Sequence, residues 1–214
     1  HMIAFMTVPL VEVISEEEVG MSFKELFSSK LFLILVVMMI CSGASELSIS
    51  QWASTFAEEG LGVSKTLGEL LGPMAFAFTM GLARLFYGKK GDSIDLDQFM
   101  ILSVGLCILS YLMMGLIPNP VIGLLGCALA GFSVGIMWPG TIARAGNWLK
   151  NGGTKMYALL ALGGDIGCSA GPTLAGMVAS MTGDNLRMGI LAATLFPIGL
   201  LITIVVMKRG FIHD

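Results

Sequence analysis

Long apolar runs alternate with short polar segments along most of the chain. Six of these runs are each close to the ~20 residues that an α-helix needs to cross a bilayer. We place them at residues 30–57, 66–88, 97–117, 120–146, 155–181 and 188–207. Because the segments between them are short, consecutive spans are expected to run antiparallel. The pattern therefore predicts an all-α membrane protein, a bundle of six transmembrane helices.

Composition supports a membrane protein. The 214 residues are 55% hydrophobic and only 13% charged, whereas soluble domains carry about 25% charged residues. A net charge of −3 gives no reason to expect a nucleic-acid partner. All four cysteines lie inside apolar runs, so we expect buried thiols rather than disulfides or metal ligands. No cofactor is expected.

The predicted bundle covers residues 30–208. Residues 1–29 are interpreted as the end of a preceding helix followed by a polar cytoplasmic loop, and residues 209–214 as a cytoplasmic tail. The alternation of the spans places ten of the 12 basic residues on one side, and basic loops mark the cytoplasmic side. Both ends are therefore expected in the cytoplasm, with the bundle in the cell membrane. The ten are Lys24, Lys30, Arg84, Lys89, Lys90, Arg144, Lys150, Lys155, Lys208 and Arg209.

The first span contains an acid, Glu46, well inside its apolar run. A charge at that depth costs roughly 3 kcal/mol or more, so such residues usually face water, a partner or a solute. The segment has no Pro, and we expect one helix to continue through it. On that helix Ser42 and Ser50 fall four residues either side of Glu46 and form a polar stripe. Gln51 and Trp52 follow, and could hydrogen-bond to a solute and stack on it.

Two further polar features lie deep in later spans. Asp165 is near the middle of the fifth, and Trp138 precedes Pro139 and Gly140 in the fourth, which suggests an aromatic wall at a kink. Glu46 and Asp165 could each take up a proton on one side and release it on the other, so proton coupling is expected. The alternative is a neutral acid that serves structure alone.

Small residues recur at intervals of four in the fourth and fifth spans, which predicts close helix packing. A Gly-Pro pair also recurs in the second and fifth spans, as in transporters built from repeats. These residues are Cys127, Gly131 and Gly135, then Gly163, Gly167 and Gly171, and the pairs Gly72-Pro73 and Gly171-Pro172.

The segment joining the second and third spans carries a recognisable spacing. Gly81 is followed by six residues, then Gly88, Lys89 and Lys90, with Arg84 in between. This spacing resembles the signature of the major facilitator superfamily. In that family the signature lies on the cytoplasmic side after the second helix of each six-helix half, and the segment has the corresponding position here. The chain is similar to the C-terminal six-helix half of such a transporter, with 3+3 inverted repeats. The resemblance implies that the basic residues help to close the cytoplasmic face in one state.

The resemblance also implies a function: secondary active transport of a small-molecule substrate by alternating access. The partners would be the lipid bilayer, protons and a missing N-terminal six-helix half. The residue types favour a small polar organic solute, such as a sugar or a neutral or cationic compound.

Other membrane functions are less well supported. An intramembrane enzyme needs a nucleophile with a base, yet no histidine lies in any span, so we do not expect an enzyme. A channel would need a pore loop, and the short Pro-Asn-Pro link at 118–120 is too short for one. A non-transporting membrane sensor remains open.

Overall fold

The computed structural model describes residues 20–61 and 64–210, and within them the chain forms ten α-helices, one short 3-10 turn and no strand. The helices are α1 (Phe23–Ser28), α2 (Lys30–Ser50), α3 (Ala53–Leu61), α4 (Lys65–Lys90), α5 (Leu96–Leu116), α6 (Pro120–Val134), α7 (Met137–Trp148), α8 (Gly153–Met181), α9 (Leu186–Ala193) and α10 (Leu195–Gly210).

The predicted spans are confirmed within a few residues. Spans 1 to 6 correspond to α2 with α3, α4, α5, α6 with α7, α8, and α9 with α10. Spans 1, 2, 3, 4 and 6 are both long enough and apolar enough to cross a membrane. Span 5, the 29-residue α8, is long enough, but its glycines, serines and Asp165 lower its apolar content. The described part of the chain is an all-helical bundle of six spans.

Span 1 is not one continuous helix, so that expectation is wrong. The helix ends at Ser50, and residues 51–52 form a turn before α3. Hydroxyls in the last turns of α2 donate to its own carbonyls, Ser45 to Cys41 and Ser48 to Ala44, each at 2.7 Å. Such bonds compete with the backbone ladder and often bend helices. Spans 4 and 6 are interrupted too, at residues 135–136 and 194.

Helix α2 lies at the centre of the bundle. Its most extensive contacts are with α8, and it also packs against α6, α7 and α10. Helix α4 packs against α3 and α6, and α5 packs against α6, α9 and α10. Side chains on α2 are therefore positioned by helices from three of the other five spans.

Glycines set the closest of these contacts, as the sequence predicted. Gly167 lies against the Ile40 carbonyl and Gly171 against the Ala44 carbonyl of α2, with no room for a Cβ atom. In span 4, Gly131 lies against the Phe76 carbonyl of α4 in the same way. These spans can approach so closely because their backbones meet without side chains between them.

The segment before span 1 is partly helical. The polar loop was expected up to residue 29, and residues 1–19 of it lie outside the described part. Ser22 caps α1, where its backbone N–H donates to the Glu25 carboxylate at 2.7 Å and its hydroxyl accepts from the Glu25 N–H at 3.3 Å. This capping box makes residues 23–28 a helix, and its hydrogen bonds lower the pKa of Glu25.

The segment that carries the family signature is helical rather than a loop. Helix α4 continues through it to Lys90, and only then do a 3-10 turn, Gly91–Ser93, and the N-cap Asp95 lead into α5. We call this side of the bundle the basic end, because it carries Lys30, Lys89, Lys90, Lys150, Lys155 and Lys208.

Candidate functional site

An open cavity of about 530 Å³ lies between spans 1, 2 and 4. It is the size typical of small-molecule sites. One acid, one arginine and several aromatic or apolar side chains line it: Glu46 from α2, Arg84, Tyr87 and Gly88 from α4, and Ile136, Trp138 and Pro139 from the broken fourth span.

Glu46 provides the negative charge in this cavity. It is half-buried on α2, one turn before that helix ends. The Arg84 guanidinium of α4 is near enough to act on it electrostatically. Because other helices pack against α2 on several sides, the backbone that carries this carboxyl is held in position at the cavity wall.

Arg84 provides the positive charge. Its Nε–H donates to the Gly135 carbonyl at 3.3 Å, at the break between α6 and α7. This carbonyl lies at the end of α6, where helix carbonyls lack intrahelical partners. Among the described residues, Arg84 forms no ion pair with Glu46 or with any other acid.

Trp138 contributes an aromatic side chain to the wall of the cavity. Its ring lies directly against Gly164 of α8, where a Cβ atom would collide with it. The glycine thus makes room for an indole between spans 4 and 5. The ring lies near the start of α7, directly after the break in span 4.

The structure does not place Asp165 in the same cavity as Glu46. Asp165 is exposed, in an open groove of about 520 Å³ along α8 that Ser169 and Thr173 also line. The Ser169 hydroxyl donates to the Asp165 backbone carbonyl at 3.2 Å. Cys168, three residues after Asp165 on α8, is near enough for both carboxyls to act on its thiol electrostatically.

The serines on either side of Glu46, Ser42 and Ser50, are not among the residues that line the cavity. Ser42 is buried, and its hydroxyl donates to the Met38 carbonyl of its own helix at 2.8 Å. Ser50 is half-buried at the end of α2, and Gln51 is exposed in the turn. Trp52 is half-buried, and its buried indole nitrogen has no hydrogen-bond partner among the described residues.

The signature residues follow the last turns of α4. Gly88 lines the cavity, and Lys89 and Lys90 are exposed at the basic end. A Cβ atom on Gly81 or Gly88 would meet nothing within 4 Å in the described part of the chain. Their small size is therefore not needed for packing inside this bundle.

Sequence reasoning missed a buried ion pair at the basic end. Arg144 of α7 is only 2% exposed; it donates to the Asp97 carboxylate of α5, and its guanidinium lies 5.2 Å from the Trp148 ring centroid. The signal in the sequence was a single arginine near the end of an apolar run, which had been interpreted only as part of the basic end.

Sequence reasoning also missed a hydrogen bond to the backbone next to Glu46. Tyr111 of α5 is fully buried, and its hydroxyl donates to the Ser45 carbonyl at 2.9 Å. This hydrogen bond joins α5 to α2 at the residue next to Glu46. In the described part of the chain no cluster of side chains could hold a metal ion.

Comparison with known proteins identifies the family. Residues 7–143 match the family model of the Major Facilitator Superfamily, a stretch that ends within span 4. No curated protein matches the chain, and no solved structure does. The match covers more than half of the chain and agrees with its helical, multi-span architecture. This multi-pass membrane protein belongs to the Major Facilitator Superfamily of membrane transporters.

Proposed function

We propose that the protein is a secondary active transporter that carries a small polar organic solute in exchange for, or together with, protons. The observation that carries the proposal is Glu46, an acid within an apolar bundle that lines a cavity open to solutes. An ionisable group at that depth usually marks a solute or proton path. Glu46 would hold the proton in one state and release it in another.

Alternating access is the mechanism proposed for this movement. A second six-helix bundle would face the cavity, and the two bundles would rock against each other around the bound solute. The open space beside Gly81 and Gly88 supports this arrangement, because another helix could approach α4 at these positions. Lys89 and Lys90 would then meet that bundle at the cytoplasmic face and help to close it.

Reconstitution of the native gene product into liposomes tests proton coupling. Labelled leucine and labelled glucose would be supplied one at a time, with and without an inward proton gradient. We expect the gradient to accelerate uptake of one of them, and Glu46→Gln to abolish that acceleration, because an amide cannot exchange the proton.

Glu69→Gln is the matched control, since Glu69 is exposed and paired with Lys65 on α4, away from the cavity. It should leave the gradient effect unchanged. Uptake by Glu46→Gln that still responds fully to the gradient would refute proton coupling through this residue.

A further inference from the structure

The cavity that holds Glu46 contains two opposite charges that do not neutralise each other directly. Glu46 and Arg84 both line it, yet they form no ion pair; the ion pairs found among the described residues join Arg144 to Asp97 and Lys65 to Glu69. The hydrogen bond that Arg84 makes within the described part of the chain uses its Nε–H. Each charge can therefore meet a group on a solute.

The charges also determine which solutes fit. In the state in which Glu46 has released its proton, the cavity holds one carboxylate and one guanidinium and is neutral overall, so a solute with a net charge leaves one protein charge uncompensated. A neutral sugar leaves both without a counter-charge, so the hydration that Glu46 and Arg84 lose when a solute covers them is not compensated by an opposite charge. A solute that carries both an anionic and a cationic group compensates both.

The uncharged lining agrees with such a solute. Trp138 lines the same cavity as Glu46, and an indole face attracts a cationic group. Ile136 and Pro139 offer an apolar surface for a side chain. A volume of about 530 Å³ leaves space for a solute that reaches from one charge to the other.

We propose that this cavity binds a zwitterionic solute of the amino-acid type. Its carboxylate meets Arg84, its ammonium group meets Glu46 beside the Trp138 ring, and its side chain lies along Ile136 and Pro139. This inference rests on the proposed transport function and names the solute class for the same site.

Binding to the purified protein in nanodiscs tests the inference, with ligand-induced thermal stabilisation and calorimetry as readouts. The zwitterions glycine, leucine and tryptophan cover a range of sizes. Leucinamide lacks the carboxylate, N-acetylleucine lacks the ammonium group, and glucose lacks both. We expect at least one zwitterion to bind, and the two leucine derivatives and glucose to bind about tenfold more weakly or not at all, as loss of a charge-assisted hydrogen bond predicts.

Variants assign each charge to its ligand group. Arg84→Gln should abolish the preference for leucine over leucinamide, and Arg84→Lys should restore part of it by returning the positive charge. Glu46→Gln should abolish the preference for leucine over N-acetylleucine. Lys150→Gln and Glu69→Gln, which remove exposed charges away from the cavity, should leave all affinities unchanged.

Two outcomes would overturn the inference: no binding of any zwitterion, or binding of glucose or of both leucine derivatives as tightly as leucine. Proton-driven uptake of glucose without zwitterion binding would leave the proposed transport function intact and refute only the solute class. Leucine binding without any proton-driven uptake would support the solute class and refute the proposed proton-coupled transport.

Discussion

Two ion pairs in the bundle differ mainly in burial. The Arg144 and Asp97 side chains are 2% and 30% exposed, whereas those of Lys65 and Glu69 are 79% and 57% exposed. We expect Asp97→Asn to lower the free energy of unfolding by about 3–5 kcal/mol, because it leaves a buried guanidinium without a counter-charge. Glu69→Gln should cost about 0–1 kcal/mol. Thermal unfolding of both variants in the same detergent measures the difference.

A double variant separates the lost attraction from the uncompensated charge. Adding Arg144→Met to Asp97→Asn removes the buried charge and should restore much of the lost stability. Equal losses for the two acids, or no recovery in the double variant, would show that Arg144 is not buried in the folded protein as the structure has it.

At the scale of single residues, the sequence identified Glu46 because a charge within a long apolar run is conspicuous. It could not identify the Arg144–Asp97 pair, since that pairing depends on which spans become neighbours. It also assigned Ser42 to the cavity, because spacing gives the face of a helix but not whether a hydroxyl bonds to its own backbone. Asp165 was correctly placed on α8, yet the rotation of that helix puts it in a different groove.

At the scale of helices, the glycine contacts of α8 with α2 lead to a stability prediction. A Cβ atom on Gly167 would collide with the Ile40 carbonyl, so we expect Gly167→Ala to cost about 1–3 kcal/mol. A Cβ atom on Gly105 of α5 would meet nothing within 4 Å among the described residues, so Gly105→Ala should instead be neutral or stabilising by up to about 1 kcal/mol. Thermal unfolding of the two variants checks this contrast, and a similar response from both would contradict the packing.

The hydrogen bond from Tyr111 to the Ser45 carbonyl gives a second prediction for helix packing. Tyr111→Phe removes only the hydroxyl and should lower the free energy of unfolding by about 1 kcal/mol. Because that carbonyl adjoins Glu46, the variant should also alter the pH profile of uptake. Ser110→Ala is the control, since the Ser110 hydroxyl bonds within α5 to the Leu106 carbonyl. An unchanged profile in Tyr111→Phe would assign the hydroxyl to stability alone.

The helix breaks show what periodicity alone cannot predict. The interruption at 51–52 contains neither Gly nor Pro, so the residues at the break gave no reason to end α2 there. Conversely, Pro73 and Pro172 lie inside α4 and α8, which continue past them. In a bilayer, neighbouring helices and hydroxyl side chains can compensate for disrupted backbone bonds, so the position of a break depends on tertiary contacts.

At the scale of the whole molecule, the number and order of the spans followed from the length of the apolar runs, because the hydrocarbon thickness sets that length. The central place of α2 did not follow, since hydropathy does not specify which spans pack together. The small residues of α8 were the best indication of which helices pack together, because Gly167 and Gly171 both contact α2. The cavity depends on those contacts, so its position became visible only in the folded bundle.

The orientation of the bundle in the membrane is still a prediction, and it rests on the basic end. Lysines and arginines in short loops are retained on the cytoplasmic side, so we expect the basic end to face the cytoplasm.

In a cysteine-free variant, single cysteines would replace Lys90 at the basic end and Asn185 at the opposite end, both exposed. An impermeant maleimide should label Asn185→Cys in intact cells but Lys90→Cys only after permeabilisation, with Lys150→Cys as a second probe of the basic end. The reverse pattern would place the basic end outside and rule out a cytoplasmic gate at Lys89 and Lys90. The solute class proposed for the cavity would be unaffected, because its charges do not depend on which side they face.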